Sequence, residues 1–275
     1  MNGYGTNAMT NYTPSTFGDT VMRDFTARRE GRSVSEVIHA SAAPETKALG
    51  HPSFEDLEVG ERRSAPLAVA FLDLTDFTGR TFWDEETEVV DLAHAVLTGF
   101  IEVVIAFGGY PLGLRGDGLF AGFGPGNSQV ASSMALGACA FALNAVESEV
   151  NPRLESRGIH RVQARAGLDF GSITFVRTGS PGHSEVNPLG FAANFAAKCE
   201  KKANSWEIVV GEGLASQLPG ATSFAEHEDS PKSYQRDYQR KFYRFYDYRW
   251  RQVLPHLDGV ARQLSGNPTS SIAIS

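Results

Sequence analysis

The chain predicts an α+β domain of ferredoxin-like βαββαβ order, with extra strands and helices added to that core. Three observations predict it. Residues 66–72 are almost wholly apolar and stop at Asp73, which suits a central strand buried on both faces. Residues 110–123 flank a Gly116-Asp117-Gly118 tip with turn chemistry and read as a hairpin. Two long apolar-rich segments, 84–107 and 128–157, separate and follow these strands and read as helices.

Taken in order, residues 1–62 form an N-terminal extension that opens on Asn, Thr, Ser and Gly. It carries one helix signal near 20–29. A second follows Ser33, where Glu36 completes a capping-box pattern. This extension is expected to cover the core or a partner subunit. Residues 63–250 are the core domain: the first strand, the 84–107 helix, the hairpin, and the 128–157 helix with Pro152 breaking its last turn. Residues 162–176 then read as a second strand pair turning at Gly171. A helix over 190–200, a short strand over 207–210 and an aromatic strand over 242–250 complete the domain. The tail, 251–275, holds one helix candidate at 253–264 and a polar end. There is no internal repeat.

Composition narrows the function. The formal charge of −7 over 275 residues argues against a general nucleic-acid binder, which needs clustered positive charge. No apolar stretch reaches the ~18–20 residues that span a bilayer. No basic segment precedes an apolar one at Met1, so no secretory signal is expected. Cys139 and Cys199 both fall in helical segments and read as small buried residues of a reducing, cytoplasmic protein.

The chemistry sits on aspartates. Two adjacent strands that each end in a carboxylate, Asp73 and Asp117, can share a pair of divalent ions. Such a pair activates a hydroxyl and neutralises a leaving phosphate. Equally, Asp73 suits a helix cap and Asp117 a plain turn residue. Asn194 and Lys198 lie four apart and so project from one helical face. There they suit a sugar oxygen and a phosphate, or an ordinary solvated helix. The histidines, His160 and His183 among them, lack metal-ligand spacing, and Asp169 reads as a hairpin residue rather than a third ligand. Residues 232–251 hold seven basic and two acidic residues among aromatics. They read as single-stranded nucleic-acid binding, or as a loop and edge strand with Lys232, Arg236 or Lys241 reaching substrate phosphates.

Four pieces in this order resemble the class III nucleotidyl cyclase catalytic domain: Phe71-Leu-Asp-Leu-Thr-Asp-Phe-Thr78, Gly116-Asp117 after Gly108-Gly109, the strand opening at Arg165, and Gly190-Phe-Ala-Ala-Asn194 running on to Lys198. The resemblance covers roughly residues 65–250. It implies Asp73 and Asp117 as metal aspartates, with Leu74 beside them, and two Mg²⁺ or Mn²⁺ per site. Thr75, Asp76, Phe77 and Thr78 are expected at the substrate phosphates, where main-chain N–H groups meet them at a strand-to-helix turn. Asn194 is implied to orient the ribose. Lys198 stands where the family has Arg, keeping the charge but losing the bidentate fork. The resemblance also implies a homodimer with two sites shared between protomers, since the chain has no room for a second such domain.

The purine-reading positions depart from the family. The place four residues before the hairpin aspartate is Gly113, and the residue after the helix-opening glycine is Phe191. Neither offers a polar group to a purine edge, and unpaired polar groups give the strongest discrimination. Bacterial pyrimidine cyclases of antiphage signalling resemble such a chain. The sequence therefore predicts a soluble cyclase of UTP, or less favourably CTP, with Tyr110 and Arg115 as candidate base contacts. An adenylyl cyclase with an atypical base pocket, and a silent regulatory domain, are the competing expectations.

Overall fold

The structure, a computed structural model, describes residues 12–31, 49–180 and 182–257. The expected helix after Ser33 and most of the one over 253–264 lie outside the described residues. Helix α1 (Pro14–Arg29) starts earlier than expected, because Thr13 and Thr16 form a reciprocal cap and Pro14 opens the first turn. Strand β1 (Arg62–Thr75) is followed by a short helical turn, α2 (Phe77–Arg80), and by α3 (Glu86–Ala106). The hairpin is β2 (Tyr110–Arg115) and β3 (Gly118–Phe123). Helix α4 (Ser128–Ala145) passes through a π turn (Val146–Val150) into α5 (Asn151–Glu155). Pro152 does not break the chain there; it falls in the first turn of α5, where its missing N–H costs nothing.

The expected strand pair turning at Gly171 is instead one strand, β4 (Gln163–Ser180), paired with β1 from Gln163 to Val176. It turns back only into β5 (His183–Leu189), which the sequence reading missed. Gly171 serves packing: a Cβ there would lie 3.1 Å from the Ala192 Cβ. Helix α6 (Phe191–Lys202) then leads to β6 (Ile208–Gly211), the short α7 (Glu212–Ala215) and β7 (Phe224–Glu226). The expected aromatic strand divides into β9 (Gln239–Tyr243), which pairs with β8 (Lys232–Arg236), and β10 (Phe245–Tyr248).

The main sheet runs β2-β3-β1-β4-β6-β10-β7, with β5 paired to β4. Its first four strands have the ferredoxin-like order, so the predicted α+β class holds. Strand alternation divides β1 between two cores. Ala68, Ala70, Leu72 and Leu74 face α1, α3 and α4. Leu67 and Val69 face α6, with Ala192, Ala193 and Ala196. Burial on both faces explains the unbroken apolar run. Helix α1 belongs to the first core: Phe17 and Val21 are fully buried, and Gly99 admits Phe17, whose ring would lie 2.7 Å from a Cβ there. Both cysteines are buried and free.

Helices Glu86–Ala106 and Ser128–Glu155 are, by length and composition, apolar enough to cross a membrane, contrary to the expectation from uninterrupted apolar runs. Averaged hydropathy reaches that level where no single run does. Most of each apolar window, 56% and 72%, is buried inside the domain.

Candidate active site

Register brings the two aspartates together. Asp73 pairs with Gly118 of β3, the residue after Asp117, and with Arg165 of β4. Asp117 occupies the two-residue turn between β2 and β3, where Gly116 takes a φ of 62°. Gly118 leaves room for the carboxylate, since a Cβ would stand 2.9 Å from Asp73 Oδ1. Parity places Asp73 on the α6 face of the sheet, among the odd-numbered positions of β1.

Two residues missed by the sequence reading complete this corner. Arg165 donates from Nη2 to Asp73 Oδ2 at 2.9 Å and from Nε at 3.3 Å. The same Nη2 lies 2.5 Å from Glu200 Oε1, and Nη1 donates to the Ala203 carbonyl at 3.3 Å. Burial, and then the neighbouring Asp73 charge, raise the Glu200 carboxyl to about 7. Burial and Asp73 likewise raise Asp117 above its ordinary value. Asp73, Arg165 and Glu200, with Phe71, Arg115 and Lys201, line a cleft of about 300 Å³. Arg165 was invisible because its partner is set by sheet register. Glu200 carried a signal: six residues after Asn194, it falls away from the Asn194–Lys198 face.

The donor set suits hard divalent ions. Asp73 and Asp117 crowd two carboxylates together, and burial with the Asp73 charge makes Asp117 a weaker acid, so a bound cation is favoured over two free charges. Among the described residues no group of three or more His, Cys, Asp or Glu side chains converges as a metal cage. Mg²⁺ typically takes one or two carboxylates and completes its shell with water and substrate phosphate, so Asp73 and Asp117 fit that role.

The other expected residues fall in three places. Leu74 and Thr75 end β1. Asp76 turns the chain at φ 53°, and Phe77 and Thr78 open α2, so the strand-to-helix turn lies directly beyond Asp73. Asn194 and Lys198 are both exposed on α6. They do not converge on Asp73 within the chain: Lys198 Nζ donates to Tyr234 Oη at 3.0 Å and sits 4.9 Å from that ring's centroid. Phe191, half exposed, stacks with Phe195 and meets Tyr243 edge-on at 4.8 Å. Arg115 borders the carboxylate cleft and, among the described residues, bonds its neighbour's carbonyl, Leu114 O, at 3.0 Å. Gly113 follows a bulge in β2, and a side chain there would meet nothing closer than Arg115 at 3.6 Å. Tyr110 lies at the far end of β2, opposite Gly122, its ring tilted 44° against His51 with the centroids 4.0 Å apart.

Asp169 is not a hairpin residue. It is fully buried in β4 and accepts hydrogen bonds from Phe170 N, Leu214 N and the Tyr243 hydroxyl. Burial pushes its carboxyl up to about 7.

This fold is that of class III nucleotidyl cyclase domains. The guanylyl cyclase Cya2 superposes with a TM-score of 0.58 at 19% identity, covering 70% of this chain and 94% of that one. The adenylyl cyclase CyaB from P. aeruginosa gives 0.59 at 18%, covering 68% and 95%. In sequence the chain is similar to cytidylate cyclases. One from Escherichia coli is 25% identical over 61% of this chain and 38% of that protein. One from Staphylococcus aureus is 24% identical over 63% and 42%. The chain thus matches less than half the length of these curated relatives. An adenylate cyclase from Anabaena cylindrica is 22% identical over 62% and 34%. No protein-family model matches the chain.

Proposed function

We propose that this chain is a metal-dependent nucleotidyl cyclase that converts a pyrimidine nucleoside triphosphate to its 3′,5′-cyclic monophosphate and pyrophosphate. The observation that carries the reading is the meeting of Asp73, near the end of β1 just before a strand-to-helix turn, with Asp117 in the neighbouring β2–β3 turn. Mg²⁺ or Mn²⁺ held by these carboxylates, with Leu74 beside them, would lower the pKa of the attacking hydroxyl and offset charge on the leaving pyrophosphate. Main-chain N–H groups from Thr75 to Thr78 would meet the phosphates. Arg165, pinned by Asp73 and Glu200, keeps a guanidinium beside the carboxylates.

Asn194 and Lys198 would act on the substrate of a partner chain, the ribose and the α-phosphate respectively. Their exposure, and the turn of Lys198 toward Tyr234, support a homodimer whose sites are shared. Asp73→Ala and Lys198→Ala chains should then each be inactive alone. Mixed and re-equilibrated, they should recover part of the activity, because one mixed site carries both lesions and the other none.

The base reading rests on Gly113 and Phe191. A side chain would fit at Gly113, yet none is there to read a purine. Phe191 instead offers an aromatic wall with Phe195 and Tyr243. The relatives named cytidylate cyclases shift the preferred substrate from the expected UTP toward CTP. A cytoplasmic role in antiviral signalling belongs to the same reading. Incubating the protein with all four ribonucleoside triphosphates and Mn²⁺, with the cyclic product identified by mass, tests it. CTP or UTP is expected to turn over fastest. A clear preference for ATP would leave the adenylyl reading, which the Anabaena cylindrica relative favours. No product from any triphosphate would leave a silent domain.

A further inference from the structure

We propose that the acidic, aromatic segment 82–91 of one chain docks on the basic, aromatic β8–β9 hairpin of a second copy, and that this contact closes each shared site. The inference rests on the shared-site reading above and names the surfaces that would hold the two copies together.

The segment after α2 presents Phe82 and Trp83, 84% and 90% exposed. Five carboxylates follow by Asp91. Asp84 is held by Arg80 at 2.8 Å and Glu85 by Arg29 at 2.9 Å. Glu86, Glu88 and Asp91 make no ion-pair contact among the described residues. Glu86 and Glu88 favour the first turn of α3, which explains two carboxylates but not the two bare aromatic rings beside them.

The hairpin is the counterpart in charge and kind. Lys232, Arg236, Arg240 and Lys241 share the hairpin with one acid, Asp237, and among the described residues their one ion pair is Arg236 with that neighbour at 3.9 Å, both largely exposed. Tyr238 at the tip is wholly exposed and Phe242 is 58% exposed. The ribbon is a separate two-stranded sheet, a form that is marginal alone in water. One face is anchored: Tyr234 meets Lys198, and Tyr243 packs on Phe195 and bonds Asp169. Ser233, Gln235, Arg240 and Phe242 share the opposite, open face, while Lys232, Arg236 and Lys241 lie on the side of Tyr234 and Tyr243 yet stay exposed.

Connectivity says where that face goes. The hairpin rests on Lys198, and the segment 82–91 follows Asp73 and its turn. If Lys198 of one chain reaches the site of Asp73 in another, the hairpin travels with it toward the partner's segment. A two-fold axis makes the contact twice. In a chain of net charge −7 this basic ribbon is complementary to a second copy of the chain itself.

Sedimentation equilibrium on the full chain tests the docking without reading turnover. Arg236→Glu with Arg240→Glu should weaken self-association by at least about tenfold, and so should Glu86→Lys with Glu88→Lys. The chain carrying all four changes restores opposite charges across the contact and should associate nearly as the parent does. Circular dichroism checks that each variant is folded. Because charge reversal in the first turn of α3 can loosen that helix, a second measurement stands beside it: a Trp83→Cys chain and a Tyr238→Cys chain, joined by a short bis-maleimide. Cys139 and Cys199 are buried, so a mixed crosslinked dimer is expected from the two new thiols. Association indifferent to both swaps, no recovery in the fourfold variant, no mixed crosslink, or hairpin-dependent binding of a single-stranded oligonucleotide with association unchanged would each overturn the proposal. An inactive protein that still associates through these surfaces would sink the cyclase reading alone.

Discussion

Asp73 and Asp117 stand side by side because of one register, in which Asp73 faces Gly118. Asp73→Asn and Asp117→Asn should each abolish turnover while thermal stability shifts little, because both sit at the rim of the sheet and Asn keeps the shape. Full activity of either variant, or activity undiminished in excess chelator, would defeat the metal assignment. Asp169 makes a different prediction. Its folded carboxyl lies at about 7 against an ordinary 3.8, raised mainly by burial. A raised acid contributes stability that is full below its unfolded pKa and is lost as pH climbs through the folded one. Asp169→Asn removes that loss. Its melting temperature relative to the parent should therefore rise between about pH 4 and about pH 8. A difference independent of pH would show that Asp169 does not titrate in this way.

The packing of α6 on β4 carries the site at the scale of elements. Gly167 lies directly beneath the helix, where a Cβ would fall 2.0 Å from Glu200 N and 2.3 Å from the Ala196 carbonyl oxygen. Both neighbours are backbone, so neither yields by a rotamer change. Gly167→Ala should lift the helix and cost at least the ~1–3 kcal/mol typical of overpacking, read as a fall in the denaturant midpoint. Gly171→Ala, 3.1 Å from a single methyl, should cost much less. Equal effects would mean that α6 rides on the sheet more loosely than the contacts suggest. Displacing α6 also moves Glu200, and with it the guanidinium of Arg165, so activity should fall with stability in the first variant.

Across the whole molecule, one helix serves two directions. Glu200 turns inward to Arg165 and Asp73, while Asn194 and Lys198 face outward. On the proposed shared-site reading a single chain holds two half-sites, and this is why complementation between Asp73→Ala and Lys198→Ala is expected. Activity should also fall on dilution below the dimer's dissociation constant, with CTP or UTP as substrate. Specific activity constant over a wide dilution range, with the protein monomeric throughout, would show that each chain builds a complete site.

Much was legible in the chain because it depends on local spacing. The apolar run before Asp73, the glycine tip around Asp117, and the four-residue step from Asn194 to Lys198 each encode a strand, a turn or a helical face within a dozen residues. The ferredoxin-like order followed from their succession. Residues coupled through the sheet were not legible. Arg165 meets Asp73 only through the β1–β4 register, and Asp169 is closed over by Tyr243 from a hairpin 74 residues away in sequence. The turn expected at Gly171 failed for the same reason. Glycine suits both a bend and a close approach, and the helix laid over it, not its neighbours in sequence, decided for the approach.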